Sequence, residues 1–110
     1  MPSKILGQVR PANTSHAVIY TVPANTETTG MVLNIASVDG VDSTYRITQD
    51  AAGGTPGNNF AVAWNVPILA DTVERVAIGP MNTSGGEVSV RTSGANDLTF
   101  TLYGTERLIS

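Results

Sequence analysis

Apolar side chains in this 110-residue chain recur at every second position, and no window repeats convincingly at the helical period of 3.6. A period of two places alternate side chains on opposite faces of an extended strand, so the pattern commits the chain to sheets with one buried face. The sharpest run is 59–66, where Phe60, Val62, Trp64 and Val66 share one face and Ala61, Ala63 and Asn65 the other. Leu98, Phe100 and Leu102 alternate in the same way over 97–103, as do Met31, Leu33 and Ile35 over 30–38. In 43–49, Tyr45 and Ile47 point inward and Thr44, Arg46 and Thr48 outward. Val88 and Val90 point inward in 87–92, and Val18, Tyr20 and Val22 share a face in 16–22. The predicted core therefore centres on Tyr45, Ile47, Phe60, Val62, Trp64, Val66, Leu98, Phe100 and Leu102.

Two segments are less plain. In 72–79, Glu74 falls on the face of Val76 and Ile78, and Arg75 on the face of Val73 and Ala77. A face-switching bulge or an edge strand accounts for a charge on each side. An eighth, weak strand is placed at 5–10. Between the runs stand turn residues: Pro23-Ala24-Asn25, Asp39-Gly40, and the long stretch 51–59 with its Gly53-Gly54 and Pro56-Gly57 pairs, which reads as a loop. With 12 Val, seven Ile and 14 Thr, the composition agrees, because β-branched side chains suit a pleated surface. The expected fold is all-β: a single two-sheet β-sandwich or jelly roll of seven to eight short antiparallel strands. Residues 16–104 form the sandwich, 1–15 an N-terminal arm that includes the weak strand, and 105–110 a C-terminal tail.

Composition narrows the function by exclusion. With no cysteine, disulfides, thiolate catalysis and Cys-based zinc sites are all ruled out. Charged residues are 14% of the chain against about 25% in an average domain, and the net charge is −3. The five arginines (Arg10, Arg46, Arg75, Arg91, Arg107) are scattered in sequence, which argues against a nucleic-acid surface. No apolar stretch is long enough to span a membrane, and residues 1–8 lack the apolar core of a secretion signal, so the product is expected to start in the cytoplasm of the cell that makes it. The Asn13-Thr14-Ser15 and Asn82-Thr83-Ser84 triplets are accordingly read as chance matches to a glycosylation pattern.

Catalytic signals are not found either. His16 is the single histidine, no Gly-x-Ser-x-Gly elbow surrounds a serine, and His16 is expected to be exposed at a strand start. Most acidic residues fall in turns or at strand ends. Asp39 and Asp42 flank one turn and read as hairpin chemistry rather than a calcium site. Gly53-Gly54 precedes no helix, so it forms no phosphate-binding turn. For sugar recognition, Trp64 is assigned to the core, leaving Tyr20 and Tyr103 as candidate surface stackers. No enzyme activity and no cofactor or metal is expected. Large apolar residues exceed the inward positions, and the surplus gathers at the ends: Ile5, Leu6, Val9, Leu108 and Ile109 are the candidate partner or oligomer interface.

Several segments carry a family resemblance: Tyr20-Thr21-Val22-Pro23-Ala24, Thr44-Tyr45-Arg46-Ile47, Val66-Pro67-Ile68-Leu69-Ala70-Asp71-Thr72, and Leu98-Thr99-Phe100-Thr101-Leu102-Tyr103-Gly104-Thr105-Glu106. In order and spacing over most of 7–106, the chain resembles small all-β virion structural proteins of tailed bacteriophages. The resemblance implies a virion structural role, foremost a capsid decoration (cement) protein on the outer surface of the particle. Its partners would be the major capsid protein and itself, as a homotrimer bridging capsomers. A tail, neck or fibre component, with a glycan as ligand, is the alternative within the particle; a carbohydrate-binding module is the alternative from another class. The resemblance carries no catalytic residues.

Overall fold

Eight strands form where the alternation places them: β1 (Lys4–Val9), β2 (Ala17–Thr21), β3 (Thr26–Ser37), β4 (Ser43–Asp50), β5 (Ala61–Ile68), β6 (Val73–Ile78), β7 (Glu87–Thr92) and β8 (Leu98–Leu108). The computed structural model describes residues 3–51 and 57–109, so most of the predicted 51–59 loop, with Met1, Pro2 and Ser110, lies outside the described residues. Within them there is no α-helix, only a 3-10 turn at Asn58–Phe60.

The strands make two four-stranded sheets in the orders β1-β8-β3-β6 and β2-β7-β4-β5. First pairs with last throughout: β1 with β8, β2 with β7, β3 with β6, β4 with β5, all antiparallel. The chain is in effect one long hairpin rolled up, and the β3–β8 and β4–β7 pairings close the roll. This connectivity is a jelly roll. Between the sheets lie Met31, Leu33 and Ile35 from β3, Tyr45 and Ile47 from β4, Val88 and Val90 from β7, and Leu98, Phe100 and Leu102 from β8, all buried.

Bulges account for most of the departures from strict alternation. Three β5 steps from Ala63 to Val66 oppose two β4 steps from Ile47 to Tyr45, and Asn65 takes the extra place at φ 56°. Asn tolerates that left-handed conformation better than most residues. A second irregularity lies at Val62. The strand therefore changes face twice: Ala63, Val66 and Ile68 reach the core, while Val62 is 37% exposed and Trp64 turns outward. Phe60 sits half-buried in the 3-10 turn. Phe60, Val62 and Trp64 are thus not core residues, and Val66 packs against the core only partly buried. In β2 a bulge at Ile19 buries Ile19 and Tyr20 together and leaves Val18 49% exposed. Thr48, expected outward, is buried where β4 packs against the 3-10 turn.

β6 is a regular edge strand with no register shift. Glu74 faces inward and accepts a hydrogen bond from the Tyr45 hydroxyl at 2.8 Å, while outward Arg75 donates to Asn34 Oδ1 at 3.2 Å. Within the N-terminal segment, β1 is a strand paired with β8, and residues 105–108 continue β8. β1 also closes against the other sheet. A Cβ on Gly7 would stand 2.1 Å from the Ile19 carbonyl oxygen, an approach only glycine allows.

Candidate functional site

The outer face of the β2-β7-β4-β5 sheet carries a transverse row of polar and aromatic side chains. Arg46 on β4 and Arg91 on β7 are direct cross-strand partners. Trp64 follows on β5, turned outward by the Asn65 bulge, with the Arg46 guanidinium 4.0 Å from the centre of its ring. This is cation–π distance. His16 stands one residue before β2, and its ring meets Trp64 at 6.0 Å between centroids, with 29° between the planes.

Two like charges directly opposite each other destabilise a sheet unless something answers them. No carboxylate among the described residues pairs with either arginine. Each makes its hydrogen bond within the protein through Nε: Arg46 to Asn65 Oδ1 at 2.6 Å, and Arg91 to the Thr14 carbonyl. Among the described residues this leaves both pairs of terminal Nη nitrogens uncommitted. A cavity of about 200 Å³ opens between them, bordered by Thr14, Thr44, Asn65, Thr92 and Ser93. The carboxylate of Asp97 connects to this rim only through a relay: Ser93 Oγ lies 2.8 Å from Ser43 Oγ, which donates to Asp97 Oδ2 at 3.3 Å.

His16 is half-buried rather than exposed, and its Nδ1 is buried without a hydrogen-bond partner. Burial first, then the charges of Arg91 and Arg46, lower its pKa from 6.5, so the imidazole is neutral at pH 7. Desolvation and Arg91 likewise lower the pKa of Arg46.

The opposite sheet presents different chemistry. On its outer face Ile5 pairs with Tyr103, Tyr103 with Val32, and Val32 with Ala77, an apolar row across all four strands. Ile5 is 57% and Tyr103 40% exposed. Of the five predicted interface residues, Leu6 and Val9 pack against the core. Ile5 and Leu108 are exposed, and Ile109 is half-buried, its amide bonded to the Asn25 carbonyl. Leu108 lies five residues beyond Tyr103, the partner of Ile5, which is about 16 Å along a strand, so Ile5 and Leu108 do not form one patch. Tyr20 is not a surface stacker. Its buried hydroxyl donates to Glu106 Oε2 at 2.6 Å and accepts from the Thr28 hydroxyl at 2.7 Å. Lys4 Nζ holds the other Glu106 oxygen at 2.7 Å.

Asp42 serves its turn, with Oδ1 accepting from the Ala70 amide at 2.9 Å. Among the described residues no three His, Asp or Glu side chains gather as metal ligands. Sequence reasoning treated the arginines as scattered, yet the roll brings Arg46 and Arg91 face to face. Their outward phase in 43–49 and 87–92 was readable; the pairing of β4 with β7 was not. Compared with known proteins, the chain matches no protein-family model and no curated protein.

Proposed function

We propose that this protein is a structural component of a bacteriophage particle, foremost a decoration protein that associates with itself and bridges subunits of the shell. The observation that carries the reading is the apolar row Ile5–Tyr103–Val32–Ala77 on one outer face. Exposed apolar surface in a contiguous strip marks an interaction surface more than scattered residues do. Neutral Thr, Asn and Ser side chains supply much of the polar surface, which suits a particle exposed to changing salt and pH. Copies joined through such a face would hold a lattice by multivalency, each weak contact reinforcing the others. The family resemblance of the β2, β4, β5 and β8 segments points the same way.

The test is copy number in purified phage particles, by quantitative mass spectrometry against the major capsid protein. A ratio near one per capsid subunit, or a simple fraction of it, is expected for decoration. A handful of copies per particle would move the protein to the tail, neck or fibre. Absence from particles would overturn the reading.

A further inference from the structure

The two outer faces of the roll differ in kind, and the apolar row leaves the arginine face without a role. An Arg46–Arg91 pair that no carboxylate among the described residues answers, beside a cavity, is a cost that an anionic ligand would remove. We propose that this cavity is a binding site for a carboxylate-bearing sugar residue, with the carboxylate held by the two guanidiniums and the ring hydroxyls by Thr44, Asn65 and Ser93.

Three features favour this ligand over a bare oxyanion. The rim is neutral hydroxyl and amide, which matches a polyol, and it contains no lysine. Phosphate sites draw on free backbone amides in nests or at helix N-termini. Here two of the rim amides are spent, since Thr44 N donates to Ser93 Oγ at 2.9 Å and Ser93 N to the Thr44 carbonyl at 3.0 Å. A volume of about 200 Å³ is below the roughly 300–1,000 Å³ of drug-sized pockets and suits a single sugar residue. The inference does not depend on where in a particle the protein sits.

Trp64 is the sole tryptophan, and the Arg46 guanidinium that borders the cavity lies over its ring, so its fluorescence reports on Arg46. The full-length protein is titrated with glucuronic acid, with glucose, and with inorganic phosphate, all at one ionic strength. A saturable change with glucuronic acid and none with glucose is expected. The cation–π contact with Trp64 is made by Arg46, so Arg91→Gln is the test variant. It should weaken glucuronic acid binding by about tenfold to hundredfold, the effect of losing a charged hydrogen-bond donor. Arg91→Lys should weaken it less, since it keeps the charge and loses the fork. Circular dichroism checks the fold of both. Should Arg91→Gln unfold, Ser93→Ala, which leaves the arginines in place, serves instead and should weaken glucuronic acid more than phosphate. No saturable response to glucuronic acid, or an equal response to phosphate, would overturn the proposal.

Discussion

The Tyr45 hydroxyl on β4 donates at 2.8 Å to the Glu74 carboxylate on β6, joining the two sheets through a charge that the alternation pattern places on the inner face of an edge strand. At another corner Tyr20 on β2 makes the same kind of link to Glu106 on β8. In both, the phenol body fills the core and its polar tip meets an acid at the rim. Tyr45→Phe removes the donor and leaves Glu74 inward and unanswered. That should cost about 1–3 kcal/mol, lowering Tm by roughly 4–8 °C for each kcal/mol. Pairing it with Glu74→Leu should recover most of the loss, because removing both partners of a hydrogen bond is nearly neutral. Thermal denaturation of the two variants decides; no recovery in the pair would mean that Glu74 stabilises the fold in another way.

Stability should fall at both ends of the pH scale, and each step can be assigned. Tyr20 and Tyr45 are both pushed up to about 12, by burial first and their glutamate partners second. A raised pKa gives stability that is complete below the unfolded value of 10 and is lost as pH climbs towards 12. Glu106 is held below its ordinary 4.5, by Lys4 first and then Tyr20, so its contribution is present above that value and disappears as pH falls below it. His16, lowered from 6.5, also stabilises above its unfolded value and weakens the fold as pH drops through it. Urea midpoints measured across the pH range should show a weak loss beginning near 6.5 that is absent in His16→Gln, and an acid loss that Glu106→Gln reduces. The alkaline loss should lessen in Tyr20→Phe relative to that variant's own neutral stability.

Trp64 and Phe100 look alike in the sequence, each at the centre of an alternating apolar run, but they should respond very differently to substitution. Phe100 is fully buried, and Phe100→Ala should cost about 3–5 kcal/mol. Trp64 lies on the outer face under Arg46 and against His16. Trp64→Phe keeps a ring there and should cost under about 1 kcal/mol, since surface changes are usually small. Chemical denaturation compares them directly. A loss at Trp64 as large as at Phe100 would place the indole in the core.

How far the fold was legible follows from where the alternation is unbroken. In β3, β7 and β8 the inward residues read from sequence are all buried, because nothing interrupts the period of two between Met31 and Ile35, Val88 and Val90, or Leu98 and Leu102; Ser89 and Thr101, of the opposite phase, are buried as well. In β2 and β5 the same rule fails at single residues. Ile19, Val62 and Asn65 each sit at a register shift, and one extra residue reverses every side chain after it. Asn65 was the readable warning, as an Asn inside a strand run that can take positive φ. The arginine site was invisible for a different reason. It depends on strand pairing across 45 positions of sequence, which a two-residue period does not encode.

The apolar row on the β1-β8-β3-β6 sheet makes the last prediction. If Ile5, Tyr103, Val32 and Ala77 meet a second copy, their burial drives association, with about 1.5–3 kcal/mol from each large side chain fully covered. Tyr103→Ser removes the largest of them without touching the core, since the ring points away from it and Ser remains compatible with an outward strand position. The variant should keep its Tm as a monomer and dissociate at about tenfold or more higher protein concentration than the parent, measured by sedimentation equilibrium. An unchanged association constant in Tyr103→Ser would move the contact to another surface. A parent chain that stays monomeric at every concentration would leave this face to a different partner, with the capsid lattice as the surface to test next.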